Sequence, residues 1–380
     1  GSATAAICYA EYLGLGAVLG TALLGYGDQS KSVGTLLVVL SACISCAWLV
    51  LRRLPYLAGP RGASLSALVL ALLLMQQYFP GNASQQVAVL GCMLLGCSVT
   101  LWLSSTRAGQ RLFTRQPRWL MPAFIYASAV GIVAGAAGKP LYGCLQVAPA
   151  TTWAIFGGAT LLGWLWPFGI LHATQALVPR WPRLAQWLRP LEGLSLIMSA
   201  AVVWLAYAHS PLAYSPAGQC ARLGQVDLHL EVLGARWLQL AHSLSGDLPW
   251  PALLCALVLG LCVGCVLTIE SRSALDALQR EAPAHLAPLP DRAVALRQQA
   301  LGHALLLPAT TVPVSYSQSR TQMLWMMGGS SIWAVAAHAA GLLGVALLAS
   351  QWLAQLPQLA LAVLMTLVAI QMVGKPVQDI

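Results

Sequence analysis

The stretch PATTVPVSYS at residues 308–317 interrupts an apolar segment with two prolines and a run of hydroxyl side chains. A second apolar segment breaks in a matching way at GPRGAS, residues 59–64. The segment carrying Glu270 precedes the first break, and the segment carrying Glu11 precedes the second. Paired interruptions in two halves of a membrane protein are the best sequence pointer to the substrate site of a secondary transporter. The two breaks therefore predict the position of a substrate site.

The composition is that of a polytopic membrane protein. Hydrophobic residues make up 58% of the 380 residues, and charged residues only 8%, whereas a soluble domain carries about 25% charged residues. The net charge of +9 raises the alternative of nucleic-acid binding. However, the arginines concentrate in alternate gaps between apolar segments, which is the positive-inside asymmetry of membrane proteins. We therefore expect a lipid bilayer and no nucleic acid as partner.

Twelve apolar segments are predicted to form spans or half-spans. They lie near 3–25, 33–51, 62–79, 85–104, 119–138, 146–168, 190–208, 249–271, 296–307, 316–327, 331–351 and 357–374. A regular helix needs about 20 apolar residues to cross the hydrocarbon core, so 296–307 and 316–327 are too short to cross alone. Short extended pieces are expected at 57–60 and 312–315, each followed by a half-helix.

The charge pattern also predicts the topology. If the N-terminus is cytoplasmic, the arginine-rich gaps after the second, fourth, sixth and eighth segments all lie on the cytoplasmic side, and we expect a bacterial inner (plasma) membrane. The fold class is then all-α, with a first repeat at 1–208, an extracytoplasmic loop at 209–248 and an incomplete second repeat at 249–380. Seven spans in the first repeat make the two repeats inverted. The chain begins with Gly1, and we expect it to be a piece of a longer protein.

The half-helix starts are candidate anion-binding groups. A helix N-terminus exposes backbone N–H groups and the positive end of the helix dipole, so two facing starts predict an anion site. The alternative is that the breaks are only tight turns with helix caps. The candidate binding residues are Gly62, Ala63, Ser64, Ser315, Tyr316, Ser317 and Gln318. Arg61 and Arg320 are expected to add positive charge, unless Arg320 faces the inner rim.

Glu270 and Glu11 are the candidate coupling or gating residues. An ionisable group inside a span is expensive to bury and is functional by default. We expect Glu270 to take a coupling proton or sodium ion, the alternative being an ion pair with Arg272 or Arg320. Glu11 is expected to pair with Arg61 or to join the same site.

No cofactor, metal site or enzymatic activity is expected. The His and Cys spacing matches no zinc site, and no hydrolase, metalloprotease or phosphate-loop motif is present. The cysteines are interpreted as small buried hydrophobes, including the Cys43/Cys46 and Cys262/Cys265 pairs. His303 is interpreted as a helix-packing hydrogen-bond partner.

Residues 313–320, PVSYSQSR, resemble the P-V-[ST]-G-S-x-S-R signature of the sulfate permease (SulP) family, the solute carrier 26-like anion transporters. Gly59-Pro60 resembles the Gly-Pro that precedes the family's third span, and Glu270 stands at its acidic position in the eighth. The resemblance implies seven-plus-seven inverted repeats and a core domain that rocks against a gate domain. It also implies an anion held between the third and tenth half-helices, and a homodimer.

The chain departs from the family pattern at several positions. Tyr316 replaces the glycine of the signature, Arg61 directly follows the Gly-Pro, and His303 stands where the family has asparagine. Ala274 replaces a hydroxyl residue that would help to hold sodium. We also expect the family's last two spans and its cytoplasmic regulatory domain to be absent from this sequence.

Three functions follow from these observations. The first is a secondary transporter or exchanger of a small anion of the sulfate, bicarbonate or carboxylate class, working by alternating access. The second is a transport-inactive membrane subunit that serves a protein partner as anchor or sensor. The third is a nucleobase transporter of the same architecture. Substrate flux separates the first two, and binding of uracil or xanthine would indicate the third.

Overall fold

The computed structural model describes most of the chain. The residues outside the described part are 1, 25–27, 80–82, most of 115–137, 178–180, 182–194, 215–219, 221–248, 283–285, 287–288, 327, 349–354 and 379–380. Within the described residues, helices account for nearly all secondary structure, and one pair of two-residue strands completes it.

The helices follow the apolar segments of the sequence. The first part of the chain forms α1 (Ser2–Leu24), α2 (Asp28–Leu51), α3 (Gly62–Tyr78), α4 (Ala83–Ser105), α5 (Arg107–Thr114), α6 (Gly138–Val147), α7 (Pro149–Leu177) and α8 (Ser195–Ala208). The second part forms α9 (Trp250–Glu281), α10 (Arg292–Leu306), α11 (Gln318–Met326), α12 (Ile332–Leu348) and α13 (Gln358–Gln378). Strand β1 (Ala58–Gly59) precedes α3, and strand β2 (Ser315–Tyr316) precedes α11. The predicted all-α class is confirmed.

Four helices in the described part are long and apolar enough to cross a bilayer. Their candidate spans are Ser32–Leu51, Gln85–Ser105, Pro149–Leu177 and Trp250–Arg280. Along α7, the large side chains of Trp153, Trp164 and Phe168 are about half exposed. Apolar side chains exposed along a spanning helix are suited to contact with lipid tails, so the chain is an integral membrane protein.

Two predicted segments are parts of longer helices in the structure, and a third is not tested. The segment at 146–168 is part of a longer helix, α7, and the segment at 249–271 is the apolar part of α9, which continues to Glu281. Ser271–Glu281 has too many charged residues to be counted as apolar, yet it contains no helix breaker. The predicted span at 119–138 lies mostly outside the described residues.

The buried apolar residues form two large clusters. The first gathers side chains from α1, α2, α3, α4, α9, α10, α11 and α12 and from both strands, together with Leu361 of α13. The second gathers side chains from α6, α7, α8 and α13. Strand β1 with the half-helix α3, and strand β2 with the half-helix α11, thus both pack within the first cluster.

Close helix contacts in the first cluster depend on glycines. A Cβ on Gly96 of α4 would lie 2.6 Å from the carbonyl oxygen of Leu257 in α9. A Cβ on Gly260 of α9 would likewise lie 2.6 Å from the Cα of Met93 in α4. Small residues allow two membrane helices to approach this closely, so the α4–α9 pair forms a rigid support for the residues that follow on α9.

One disulfide corrects the interpretation of the cysteines. Cys144 of α6 is bonded to Cys220, 76 residues further along the chain. The hydroxyl of Tyr207 also donates to the Cys220 carbonyl at 2.8 Å. Cys43, Cys46, Cys262 and Cys265 are free thiols. Disulfides persist in oxidising compartments, so this bond agrees with the expected extracytoplasmic position of the loop that contains Cys220.

Candidate functional site

The two sequence breaks meet as an antiparallel strand pair. Ala58 is paired with Tyr316, and Gly59 with Ser315. The amide of Ser317 extends the pair by donating to the Leu57 carbonyl at 2.9 Å. A residue before proline is driven to extended backbone, and the sequence places prolines at 60 and 313 in both breaks. The predicted extended pieces and the half-helices after them are therefore confirmed.

The start of α3 leaves backbone donors uncapped by side chains. Its N-cap residue, Arg61, has extended backbone at φ −125° and ψ 155°, and its side chain makes no capping hydrogen bond. Gly62, Ala63 and Ser64 follow and are buried. The Ser64 hydroxyl donates to the Arg61 carbonyl at 3.3 Å. This helix start retains the features of an anion-binding N-terminus.

The start of α11 differs from the sequence-based expectation. The Ser317 amide, which we expected to face an anion, is bound to the Leu57 carbonyl. The Ser317 hydroxyl accepts a 3.4 Å hydrogen bond from the Arg320 amide and so caps α11. Gln318, the first residue of the helix, is half-buried. Because the amides of Ser317 and Arg320 are both engaged within the fold, this half of the site depends more on side chains than we predicted.

The side chain of Tyr316 packs away from Ser315. Its hydroxyl donates to the Ala295 carbonyl of α10 at 2.8 Å, and its ring meets Tyr56 edge-on at 5.4 Å. Successive side chains of a strand point to opposite faces, so Ser315 and Tyr316 project from different sides of β2. The replacement of the family's glycine by tyrosine therefore leaves the Ser315 face unobstructed by the Tyr316 ring.

Glu270 of α9 lies beside both half-helix starts. Its Oε1 is 4.0 Å from the Arg61 Nε, and the carboxylate is 5% exposed. The groups that interact with it include the hydroxyls of Ser64 and Ser315 and the guanidinium of Arg320. The structure thus brings together residues from both repeats at one buried carboxylate.

Arg320 connects the two breaks from within the protein. Its Nη1 donates to the Tyr12 hydroxyl at 2.7 Å, and its Nη2 donates to the Pro60 carbonyl at 3.0 Å. The guanidinium also lies 4.5 Å from the centre of the Tyr12 ring. The residue is 4% exposed, so the alternative position at the inner rim is wrong. Gly59 lies against this contact, because a Cβ there would be 2.7 Å from the Arg320 Nη1.

The charges at this site favour an anion. Arg61 and Arg320 supply two positive charges and Glu270 supplies one negative charge, which leaves a local charge of +1 when all three are ionised. The dipole of α3 adds to the positive potential. Burial strengthens electrostatic interactions relative to water. A small anion placed here would neutralise the excess positive charge.

The other predicted ion-pair partners concern Arg272 and Glu11. The guanidinium of Arg272, named as an alternative partner of Glu270, lies 5.8 Å from the centre of the Phe113 ring, and Asp276, the acidic residue near it, forms an ion pair with Arg292. The side chain of Glu11 lies outside the described part of the structure, so its expected pairing with Arg61 stays a prediction. No group of His, Cys, Asp or Glu residues suited to a metal ion occurs within the described ranges.

Sequence reasoning missed two residues of the site region. Tyr12 is buried against Arg320, and Gln299 of α10 bonds both Ser271 and Val314. A phenol hydroxyl inside a span usually has a hydrogen-bond partner, and this signal could have drawn attention to Tyr12. Gln299 follows Arg297 and Gln298 in the sequence, so no comparable signal distinguished it.

Two solved structures have this architecture. The transmembrane domain of the cyanobacterial bicarbonate transporter BicA superposes with a TM-score of 0.61 and 14% identity, over 100% of this chain and 89% of that chain. The structure of SLC26A9 superposes with a TM-score of 0.56 and 11% identity, over 99% of this chain. The present chain has the SulP/SLC26 fold. It spans 58% of the SLC26A9 chain. No protein-family model and no curated protein matches its sequence.

These neighbours confirm the fold that PVSYSQSR suggested. The fold agrees with inverted repeats. At such low identity the likeness establishes the architecture alone. The function is therefore inferred from the residues at the two breaks.

Proposed function

We propose that this chain is a secondary transporter or exchanger of a small anion, bound between the starts of α3 and α11. The observation that carries the proposal is the pair of buried or half-buried arginines, Arg61 and Arg320, set around one carboxylate where two broken spans meet. A buried excess of positive charge is costly unless an anion compensates it. The BicA neighbour is named as a bicarbonate transporter, which supports the same substrate class.

The donor set suits an oxyanion of the bicarbonate, sulfate or small carboxylate class. The amides of Gly62 and Ala63 stand at an uncapped helix start, and the hydroxyl of Ser315 lies on the Glu270 side of β2. Arginine binds carboxylate-like oxygens through charge-assisted hydrogen bonds. Arg61, which is 28% exposed, is the arginine better placed to reach a solvated anion.

Glu270 is the proposed coupling group. With its carboxylate ionised, the site carries +1 and suits a monovalent anion. When the carboxylate is protonated, the site carries +2 and suits a divalent anion. Charge balance thus links the uptake of a divalent anion to uptake of a proton, and a sodium ion beside the carboxylate would act in the same sense.

Alternating access would arise from movement between the two hydrophobic clusters. The first cluster includes residues of both strands, both half-helices and α9, the helix that carries Glu270, and the second includes residues of α6, α7, α8 and most of the buried face of α13. Moving one cluster as a body relative to the other would expose the anion to either side without disturbing the strand pair. This assignment follows the core and gate division of the resembling family.

A transport-inactive membrane subunit is the second candidate. It is favoured by the engagement of the Ser317 amide with Leu57 and of the Ser317 hydroxyl with the Arg320 amide, which removes donors from one half of the site. Such a subunit would bind a protein partner and carry no flux. A nucleobase transporter gains no support from the site, because a neutral base does not compensate two arginines.

Binding to the purified full chain tests the proposal. Calorimetric titration with sulfate, bicarbonate, oxalate and uracil should give saturable binding of at least one anion and none of uracil. Arg61→Gln should weaken that binding by about a hundredfold or more, because a unit charge at about 5 Å and an effective dielectric of about 20 contributes about 3 kcal/mol. Arg297→Gln, an exposed arginine on α10, is the matched control and should leave affinity unchanged. Equal affinity in Arg61→Gln and the wild type would refute the site.

A further inference from the structure

One face of α10 holds strand β2 through three hydrogen bonds. Ala295, Gln299 and His303 follow one another at intervals of four residues, so they lie on the same side of the helix. The Ala295 carbonyl accepts from the Tyr316 hydroxyl at 2.8 Å, and Gln299 Nε2 donates to the Val314 carbonyl at 2.6 Å. The Val314 amide donates to His303 Nε2 at 2.9 Å.

The bonds of His303 define its protonation. Nε2 accepts a hydrogen bond from a backbone amide, so it carries no proton. Nδ1 lies 2.9 Å from the Gln299 carbonyl oxygen and must therefore donate its hydrogen to it. The imidazole is fully buried. Only the neutral ring can both accept a hydrogen bond at Nε2 and donate one at Nδ1. A side chain without an acceptor at this point would leave the Val314 amide buried and unpaired, which is costly.

Gln299 joins β2 to the helix that carries Glu270. The same Nε2 that bonds Val314 also donates to the Ser271 hydroxyl at 2.8 Å. Ser271 adjoins Glu270 on α9, and Val314 adjoins Ser315 in the break. One amide group therefore links the neighbour of Glu270 to the neighbour of Ser315.

We propose that Gln299 and His303 are positioning residues that fix β2 against α9 and so set the geometry of the anion site. The part that concerns the anion rests on the proposed function. Both residues are buried and act through Val314 and Ser271, which adjoin the residues expected at the anion.

The test compares His303→Leu, which removes the acceptor, with His303→Gln, whose side-chain oxygen can take the place of Nε2. His172→Leu replaces an exposed histidine on α7 and is the control. Hydrogen exchange of the segment 312–317 is measured in the purified full chain together with the Kd for sulfate and bicarbonate. His303→Leu should speed exchange of this segment and weaken anion binding, each by about tenfold or more. His303→Gln and His172→Leu should both resemble the wild type.

The two readouts separate the possible failures. Unchanged exchange in His303→Leu would overturn the positioning role whatever the anion data show. Faster exchange with unchanged anion affinity would leave His303 a purely structural residue and overturn the link to the site. If the wild type binds no anion, the proposed function is contradicted. If His303→Leu nevertheless exchanges faster and His303→Gln does not, the contact between His303 and the segment 312–317 is still supported. If His303→Leu does not fold, Gln299→Met removes both amide hydrogen bonds at similar bulk and is subject to the same criteria.

Discussion

Gly59→Ala is the substitution whose effect follows most directly from the structure. The new Cβ would lie 2.7 Å from the Arg320 Nη1 and closer still to the Tyr12 hydroxyl, whereas ordinary contact begins at 3.4 Å. Tyr12 must therefore retreat and Arg320 must move away by about 0.7 Å, or the strand pair must shift. Either change disturbs the 2.7 Å hydrogen bond between Arg320 and Tyr12.

The expected loss falls mainly on stability. Overpacking of a tight interior costs about 1–3 kcal/mol, and loss of a hydrogen bond to a charged group costs about 1.5–3 kcal/mol. The sum is about 2.5–6 kcal/mol. By contrast, moving one charge from about 5 Å to about 5.7 Å from an anion changes their interaction by only about 0.4 kcal/mol at an effective dielectric of about 20. Anion affinity should thus fall only about twofold if the fold is retained.

Thermal unfolding in detergent and calorimetric titration measure the two effects. Gly157→Ala is the matched control, because nothing lies within 4 Å of a Cβ at that position of α7, and alanine is favoured over glycine in a helix by about 0.5–1 kcal/mol. Gly59→Ala should lower the unfolding midpoint by several degrees, and Gly157→Ala should not. Equal midpoints for the two variants would refute the packing described around Arg320.

Three further predictions test other parts of the molecule. Glu270→Gln removes the negative charge of the carboxylate and so raises the net charge of the site from +1 to +2. Sulfate should then bind more tightly, and its uptake should no longer depend on a proton or sodium gradient. Weaker sulfate binding in titrations would contradict this. Cys144→Ser should lower the unfolding midpoint and reduce the free energy of unfolding by at most about 4.5 kcal/mol, and a reductant should then have no further effect. Cys255→Ser, which replaces an exposed free cysteine, is the control, and a midpoint equal to that of this variant would argue against the disulfide. Arg272→Gln should leave the sulfate Kd unchanged, since its guanidinium lies by Phe113, and a tenfold change would place Arg272 at the anion site.

The sequence was sufficient to predict the architecture at the breaks. Prolines restrict the backbone that precedes them, and segments too short to cross a bilayer need a partner inside the protein. These local rules identified the extended pieces at 57–60 and 312–315 and the half-helices that follow. The signature at 313–320 then indicated the fold that the solved structures share.

Contacts across long separations could not be predicted. The Ser317 amide bonds Leu57 because two strands from distant parts of the chain pair, and nothing near Ser317 in the sequence signals this. Arg320 meets Tyr12 across 308 residues, and the Cys144–Cys220 bond spans 76. Periodicity and spacing report on neighbours in sequence, whereas these contacts depend on how the helices are arranged.

Transport by the full-length chain in proteoliposomes tests the central claim most directly. Uptake of labelled bicarbonate, sulfate and small dicarboxylates would be measured with and without an inward proton or sodium gradient, in the wild type, Arg61→Gln and Arg297→Gln. The account predicts saturable uptake of at least one anion that Arg61→Gln reduces about tenfold or more and Arg297→Gln leaves intact. Well-folded protein that carries none of these anions would contradict the account and favour the transport-inactive subunit.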